Sequence, residues 1–113
     1  MSMPIFMVQF LNVDPSLDDR WNKWYDKTHL PEVMAASPSI VRATRYRKLA
    51  GTGNYHYCAI YEFDSEQGLH DFMASDRLKQ MSAEYNADFG QLTTRINHAY
   101  LPFLTIERDS KNK

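Results

Sequence analysis

Residues Ile5 to Leu11 are apolar on both parities, with Ile5, Met7 and Leu11 on one and Phe6, Val8 and Phe10 on the other, and Gln9 as the one polar interruption. A short, dense run of this kind, closed by Asp14-Pro15, predicts a strand buried on both faces. From Pro15 or Ser16 the period changes to three and four: Leu17, Trp21, Trp24 and Thr28 form a helical stripe, with Tyr25 and His29, four apart, on its flank. Asp18 and Asp19 stand in the first turn, where carboxylates suit the helix dipole, and Arg20, Asn22, Lys23, Asp26 and Lys27 read as the solvated side. Pro31 has no amide hydrogen to return to Lys27 and disfavours helical backbone at Leu30. The pattern therefore predicts a boundary or a sharp change of direction around His29 and Leu30, followed by a short helix from Glu32 to Ala36. His29 would stand at that corner, where a side chain can face the mouth of a cavity.

Ser37-Pro38-Ser39 is a turn signal. Ile40 to Leu49 reads as a strand with Arg42, Thr44, Tyr46 and Lys48 on one face and Val41, Ala43, Arg45 and Arg47 on the other. Gly51-Thr52-Gly53-Asn54 predicts a hairpin loop leading to a tyrosine-rich strand from Tyr55 to Phe63, in which Tyr55, Tyr57, Ala59, Tyr61 and Phe63 share one parity. Asp64 and Gln67 have the spacing of a capping box, and Leu69, Phe72 and Met73 give the next helix an apolar side. Ser75 interrupts it, and Asp76 to Tyr85 continues helically with Leu78, Met81 and Tyr85 at spacings of three and four. Gln91 to Tyr100 is the last strand, stopped by Pro102, with Phe103 to Ile106 as a short further edge and a polar tail over 107–113.

The order strand, helix, strand, strand, helix, strand predicts an α+β, ferredoxin-like fold: a four-stranded antiparallel sheet with both helices on one face, in a single domain spanning 1–113. The helices cover one face only, while the first strand is apolar on both. A second copy of the chain is the economical cover for the other, so a homodimer is expected.

Composition narrows the function. The 13 basic and 14 acidic residues are balanced, which gives no field for gathering nucleic acid or an anionic membrane. Cys58 is the single cysteine, so no internal disulfide forms and no cysteine pair begins a zinc site. The apolar run at Ile5 follows no basic leader, and no stretch approaches the ~20 apolar residues of a membrane helix, so a cytoplasmic protein is expected. Gly51-x-Gly53 lacks the strand-to-helix setting of a dinucleotide loop, and the four histidines show no close metal-ligand spacing. No cofactor and no metal are expected.

The run Trp21-x-x-Trp24-Tyr25-x-x-x-His29-Leu30-Pro31-Glu32, followed by Ala43-Thr44-Arg45-Tyr46, resembles the EthD-like branch of the dimeric alpha-beta barrel superfamily over nearly the whole chain. The resemblance implies two sheets packed face to face in a dimer, with ligands held between a subunit's sheet and its helices. Superfamily members include cofactor-independent quinone-forming monooxygenases, polyketide cyclases, lactone isomerases, aldoxime dehydratases and haem-degrading enzymes. Polyketide cyclases among them use a histidine near the last strand, to which His98 is comparable in place.

His29 is the first candidate for general acid/base chemistry, because an ordinary pKa of about 6.5 leaves both protonation states available near neutrality. A helix-terminal histidine capping carbonyls is the structural alternative. Tyr25, one turn back, is suited to orient His29 or to bind an enolate oxygen, and Tyr46 is a second oxyanion candidate. Trp24, Arg45, Tyr57, Tyr61 and His98 are the substrate-binding candidates. Arg45 is suited either to hold a carboxylate or phenolate or to pair with a carboxylate such as Glu62, and Tyr46, Tyr57 and Tyr61 either line a pocket or pack as a cross-strand ladder. The leading expectation is a small cofactor-independent enzyme, an isomerase, cyclase, lyase or monooxygenase, acting on a planar, mostly apolar or aromatic oxygenated metabolite. A non-catalytic ligand-binding dimer and a haem-binding or haem-degrading protein are the alternatives.

Overall fold

A computed structural model of the chain describes residues 3–12 and 14–109. Strand β1 (Ile5–Asn12) is followed by a 3₁₀ turn (Pro15–Leu17), helix α1 (Asp18–Trp24), a π-helical turn (Tyr25–His29) and helix α2 (Leu30–Ala36). Strands β2 (Ile40–Arg47) and β3 (Tyr57–Phe63), helices α3 (Glu66–Met73) and α4 (Asp76–Phe89), and strand β4 (Thr93–Tyr100) complete the order. The sheet runs β2-β3-β1-β4 with every pair antiparallel. This is the expected four-stranded ferredoxin-like arrangement with the helices on one face.

The pleat divides the residues cleanly. Phe6, Val8 and Phe10 of β1 lie beneath the helices opposite Tyr61, Ala59 and Tyr57 of β3, with Ala99, Asn97 and Arg95 of β4 on their other side. Ile5, Met7, Gln9 and Leu11 turn to the helix-free face and remain half-buried, beside Cys58, Ile60, Ile96 and His98. A bulge at Val41 breaks the register between Ile40 and Arg42, which puts Ile40 into the core opposite Phe63 while Arg42 pairs with Glu62. Because the bulge lies upstream of Arg45 and Tyr46, these two stay on opposite faces.

The helical segment after β1 departs from expectation. No corner forms at Pro31: Leu30 has helical backbone angles (φ −58°, ψ −48°), and the chain stays helical from Asp18 to Ala36. The preceding turn widens instead, with the Leu30 amide donating to the Tyr25 carbonyl five residues back. That extra residue accommodates a proline with no amide to give and a ring that crowds the preceding turn. The buried line keeps the expected Leu17 and Trp21 (8% and 0% exposed) but continues through Tyr25, His29 and Val33 (1%, 9% and 4%) in place of Trp24 and Thr28. Trp24 is half-buried and Thr28 exposed, because a wide turn brings steps of four back onto one side of the helix.

Smaller differences are local. Ser65, not Asp64, caps α3, accepting from the Gly68 amide at 3.0 Å, and Gln67 donates instead to Asp71. Ser75, read from the sequence as an interruption, caps α4 by accepting from the Leu78 amide at 3.1 Å, and α4 continues a turn beyond Tyr85 to bury Phe89. The hairpin loop follows the glycines, which take positive φ at Gly51 (122°) and Gly53 (91°), and β3 begins at Tyr57 instead of Tyr55. Phe103 to Ile106 forms no strand; β4 is an edge whose partner in this chain is β1, and Pro102 offers no amide to extend the ladder. Residues 107–109 are exposed, and the remaining tail, 110–113, lies outside the described residues.

Candidate active site

Trp21, Tyr25 and His29 project from one side of the helix onto Phe10 and the inner face of β3 and β4. The ring of Phe10 meets Trp21 at 4.9 Å and Tyr25 at 5.2 Å between centroids, both edge-on, and Tyr25 meets the His29 imidazole at 4.9 Å. Trp24 closes His29 from the other side, stacked at 5.0 Å with planes 17° apart. A cavity of about 30 Å³ remains between this line, the sheet and α4. Tyr25, His29, Tyr61, Ser82, Arg95 and Asn97 supply its polar lining, and Phe72, Leu78 and Met81 are among its apolar walls.

Two polar clusters in this layer are satisfied differently. The Trp21 indole N–H donates to Tyr85 Oη at 3.0 Å, Tyr85 Oη lies 2.7 Å from Thr93 Oγ1, and the threonine hydroxyl donates to the Phe89 carbonyl at 3.2 Å. With the tyrosine proton on Thr93, every donor in that chain is used. Tyr25 Oη and Tyr61 Oη are 2.6 Å apart and have no other hydrogen-bond partner among the described residues. Two hydroxyls sharing one bond consume one proton and leave the second O–H uncommitted, at the wall of the cavity. Burial pushes the Tyr25 phenol well above its usual range and the Tyr61 phenol up to about 12, so both are neutral donors at pH 7.

Neither ring nitrogen of His29 is hydrogen-bonded to protein among the described residues. Burial first, then the charges of Arg95 and Arg77, lower its pKa to about 4, so the imidazole is neutral at pH 7 and holds a free lone pair. The helix-terminal capping alternative is excluded by position, since His29 lies inside a continuous helical segment.

The other sequence candidates fall elsewhere. Tyr46 lies on the helix-free face, 51% exposed, opposite Cys58, so the pocket lining of Tyr46, Tyr57 and Tyr61 does not form. His98 is on that same face, opposite Met7 and beside Tyr100. Tyr57 and Arg45 are on the helix side but at the far end of the layer: Tyr57 donates to Asp18 at 2.9 Å, and Arg45 binds Asp26 and Asn22 while lying over Tyr25 at 4.5 Å and Trp21 at 5.1 Å. Glu62 is taken by Arg42, through bonds of 2.6 and 2.8 Å, and not by Arg45. Cys58 is half-buried in β3, and burial raises its thiol pKa, which suits packing better than nucleophilic attack. Sequence reasoning missed Arg95, Asn97 and Ser82. The available signal was the parity of β4, where Thr93, Arg95 and Asn97 put a polar row on the face that β1 and β3 fill with aromatics.

Among the described residues, no helix is long and apolar enough to cross a membrane, and no three histidine, cysteine, aspartate or glutamate side chains are grouped so as to hold a metal ion.

The fold is shared with crystal structures that are distant in sequence. HapK from Hahella chejuensis superposes with a TM-score of 0.66 at 14% identity, over 96% of this chain and 100% of the other. An EthD family protein from Bacillus halodurans gives 0.64 at 16%, over 88% and 100%, and SnoaB, a cofactor-independent oxygenase from Streptomyces nogalater, gives 0.62 at 15%, over 95% and 100%. The likeness thus shows a ferredoxin-like fold and does not single out the EthD-like branch. Within that class, residues 3–98 match the family described as Domain of unknown function (DUF4286), and the chain belongs to it. Comparison with curated proteins finds no match.

Proposed function

We propose that the cavity is the active site of a cofactor-independent enzyme in which His29 moves a proton on a planar, mostly apolar oxygenated metabolite. The observation that carries this reading is the meeting, at one cavity, of an imidazole without a hydrogen-bond partner and a tyrosine pair with one uncommitted O–H. A proton leaving a carbon or phenol of the substrate passes to His29, the electron pair moves onto the substrate's oxygen, and the spare tyrosine hydroxyl holds the developing oxyanion. His29 then returns the proton at the same or another atom. The same enolate or phenolate serves isomerisation, cyclisation, elimination or reaction with oxygen. SnoaB, whose fold this chain shares, is an oxygenase that works without a cofactor.

At about 30 Å³ the cavity holds one or two waters, whereas a bound metabolite needs roughly ten times more. In this reading substrate entry displaces the Leu78, Met81 and Phe72 side chains, of which methionine adapts most readily. The working unit is proposed to be a homodimer closed through the helix-free faces. Support comes from the half-buried Ile5, Met7, Leu11 and Ile60 on that face and from the exposed Leu101, Phe103, Leu104 and Ile106 after it. Sedimentation at micromolar concentration should show a dimer, and a clean monomer would remove that part of the proposal.

The chemical claim is tested by screening planar enolisable ketones and naphthols for deuterium uptake from D₂O, then comparing variants on the best substrate. His29→Gln should lower kcat/KM by roughly 10²- to 10⁴-fold while retaining a cooperative melt at pH 7. Tyr25→Phe should cost less, because Tyr61 retains a hydroxyl at the same place. Full turnover by a folded His29→Gln protein would refute the role of His29.

A further inference from the structure

We propose that the ligand of this cavity is an anion, with Arg95 as the residue that selects it by binding a carboxylate or phenolate oxygen. This rests on the reading of the cavity as a ligand site and names the substrate class it takes.

Arg95 enters from β4 directly opposite Phe10, on the side of the sheet that the helices cover. Its guanidinium lies 4.3 Å from the centroid of Tyr85, and its single hydrogen bond among the described residues, to Asn86 Oδ1, is long at 3.4 Å. No carboxylate among the described residues pairs with it. A half-buried guanidinium carries a desolvation cost that one aromatic face and one long contact offset only in part. The other arginines nearby are already matched: Arg77 lies between Glu32 at 3.5 Å and Glu84 at 3.8 Å, and Arg45 binds Asp26. The planar fork of Arg95 is thus the unmatched charge at the cavity, and its geometry suits two-oxygen anions.

Its surroundings agree with this. Asn97, two residues along the same face of β4, is exposed, and Ser82 of α4 is half-buried. These line the cavity with neutral donors. The apolar walls take the body of the ligand, Arg95 fixes its charged oxygen, and the uncharged His29 faces the remainder. Charge selection and proton transfer then belong to different side chains, and each can be tested without the other.

2-Naphthoate and 2-naphthamide form a matched pair of probes, equal in shape and different in charge. Titration calorimetry at pH 7 and low salt should find naphthoate bound at least about 10-fold more tightly by the wild type. Arg95→Gln should weaken naphthoate to the level of naphthamide and leave naphthamide unchanged, and Arg95→Lys should restore part of the preference. Should Arg95→Gln fail to fold, Arg95→Met replaces it, with the same loss of preference for naphthoate expected. Equal binding of the two probes by the wild type, a preference that survives in Arg95→Gln or Arg95→Met, or no saturable naphthoate binding would each overturn the proposal. None of these readouts involves turnover. A His29→Gln protein that keeps full activity while Arg95→Gln loses charge preference would refute proton transfer by His29 and leave anion selection standing.

Discussion

Arg45 on β2 and Arg95 on β4 enter the same layer from opposite edges of the sheet, and each lays its guanidinium against tyrosine. At the β2 end, Arg45 sits within 6 Å of the ring centroids of Trp21, Tyr25 and Tyr57, and its charge is met by Asp26 and its fork by Asn22. At the β4 end, Arg95 has Tyr85 beneath it and no paired carboxylate among the described residues. The tyrosines repeat the contrast: Tyr57 and Tyr85 give their protons to Asp18 and Thr93, whereas the Tyr25–Tyr61 pair between the two ends retains one. Residues that hold the layer together have their charges and phenol protons met within the chain, although Arg45 Nε is itself buried without a hydrogen-bond partner among the described residues. Those facing the cavity have a charge and an O–H left over, and this is what supports the proposal of a site there.

The largest expected effect comes from Trp21, which joins the two ends by lying under Arg45 and donating to Tyr85. Trp21→Ala should destabilise the protein by about 3–5 kcal/mol, since the ring is fully buried and its loss leaves a cavity. Urea unfolding measures it; a midpoint close to wild type would show that the two ends are held independently.

Acid should expose the site end specifically. His29 has a pKa of about 4 in the folded protein against about 6.5 in an unfolded chain. Between those values the unfolded chain takes up a proton that the folded one does not, so stability falls as pH drops from about 6.5 toward 4, by up to about 3 kcal/mol, and is fully present above that window. His29→Gln should flatten this part of the curve. Arg95→Gln should make it shallower, because the Arg95 charge is a cause of the depressed value after burial. Denaturation midpoints across the window decide the matter, and an unchanged slope in His29→Gln would assign the acid sensitivity to another group.

The arginines themselves give the smallest and most direct contrast. Arg45→Met should cost about 1–3 kcal/mol, because Asn22 and the three aromatic faces lose their partner, while the half-exposed Asp26 rehydrates. Arg95→Gln should change stability by less than about 1 kcal/mol in either direction, as the charge it removes has no partner to strand. Equal losses in the two melting curves would erase the distinction between a structural and a functional arginine.

Much of this architecture is written in local pattern. The period of two in β2 and β3, the period of three and four in α3 and α4, and the glycines at 51 and 53 act through neighbouring backbone, so element order and the split of Arg45 from Tyr46 follow from the chain directly. His29 and Tyr25 were legible for the same reason, being four apart on one helix. Three other features required the folded molecule. The response of the helix to Pro31 depends on packing: Trp21, Tyr25, His29 and Val33 are buried together only if the helix continues, and a wide turn is the less costly way to keep them so. The Tyr25–Tyr61 pair depends on residues 36 apart being brought within hydrogen-bond distance. The solitude of Arg95 depends on where every carboxylate in the chain ends up. Sequence by itself determined which residues are able to bond, because that is a property of each side chain; which of them were left without a partner is a property of the whole packing, and the tertiary structure alone decided it.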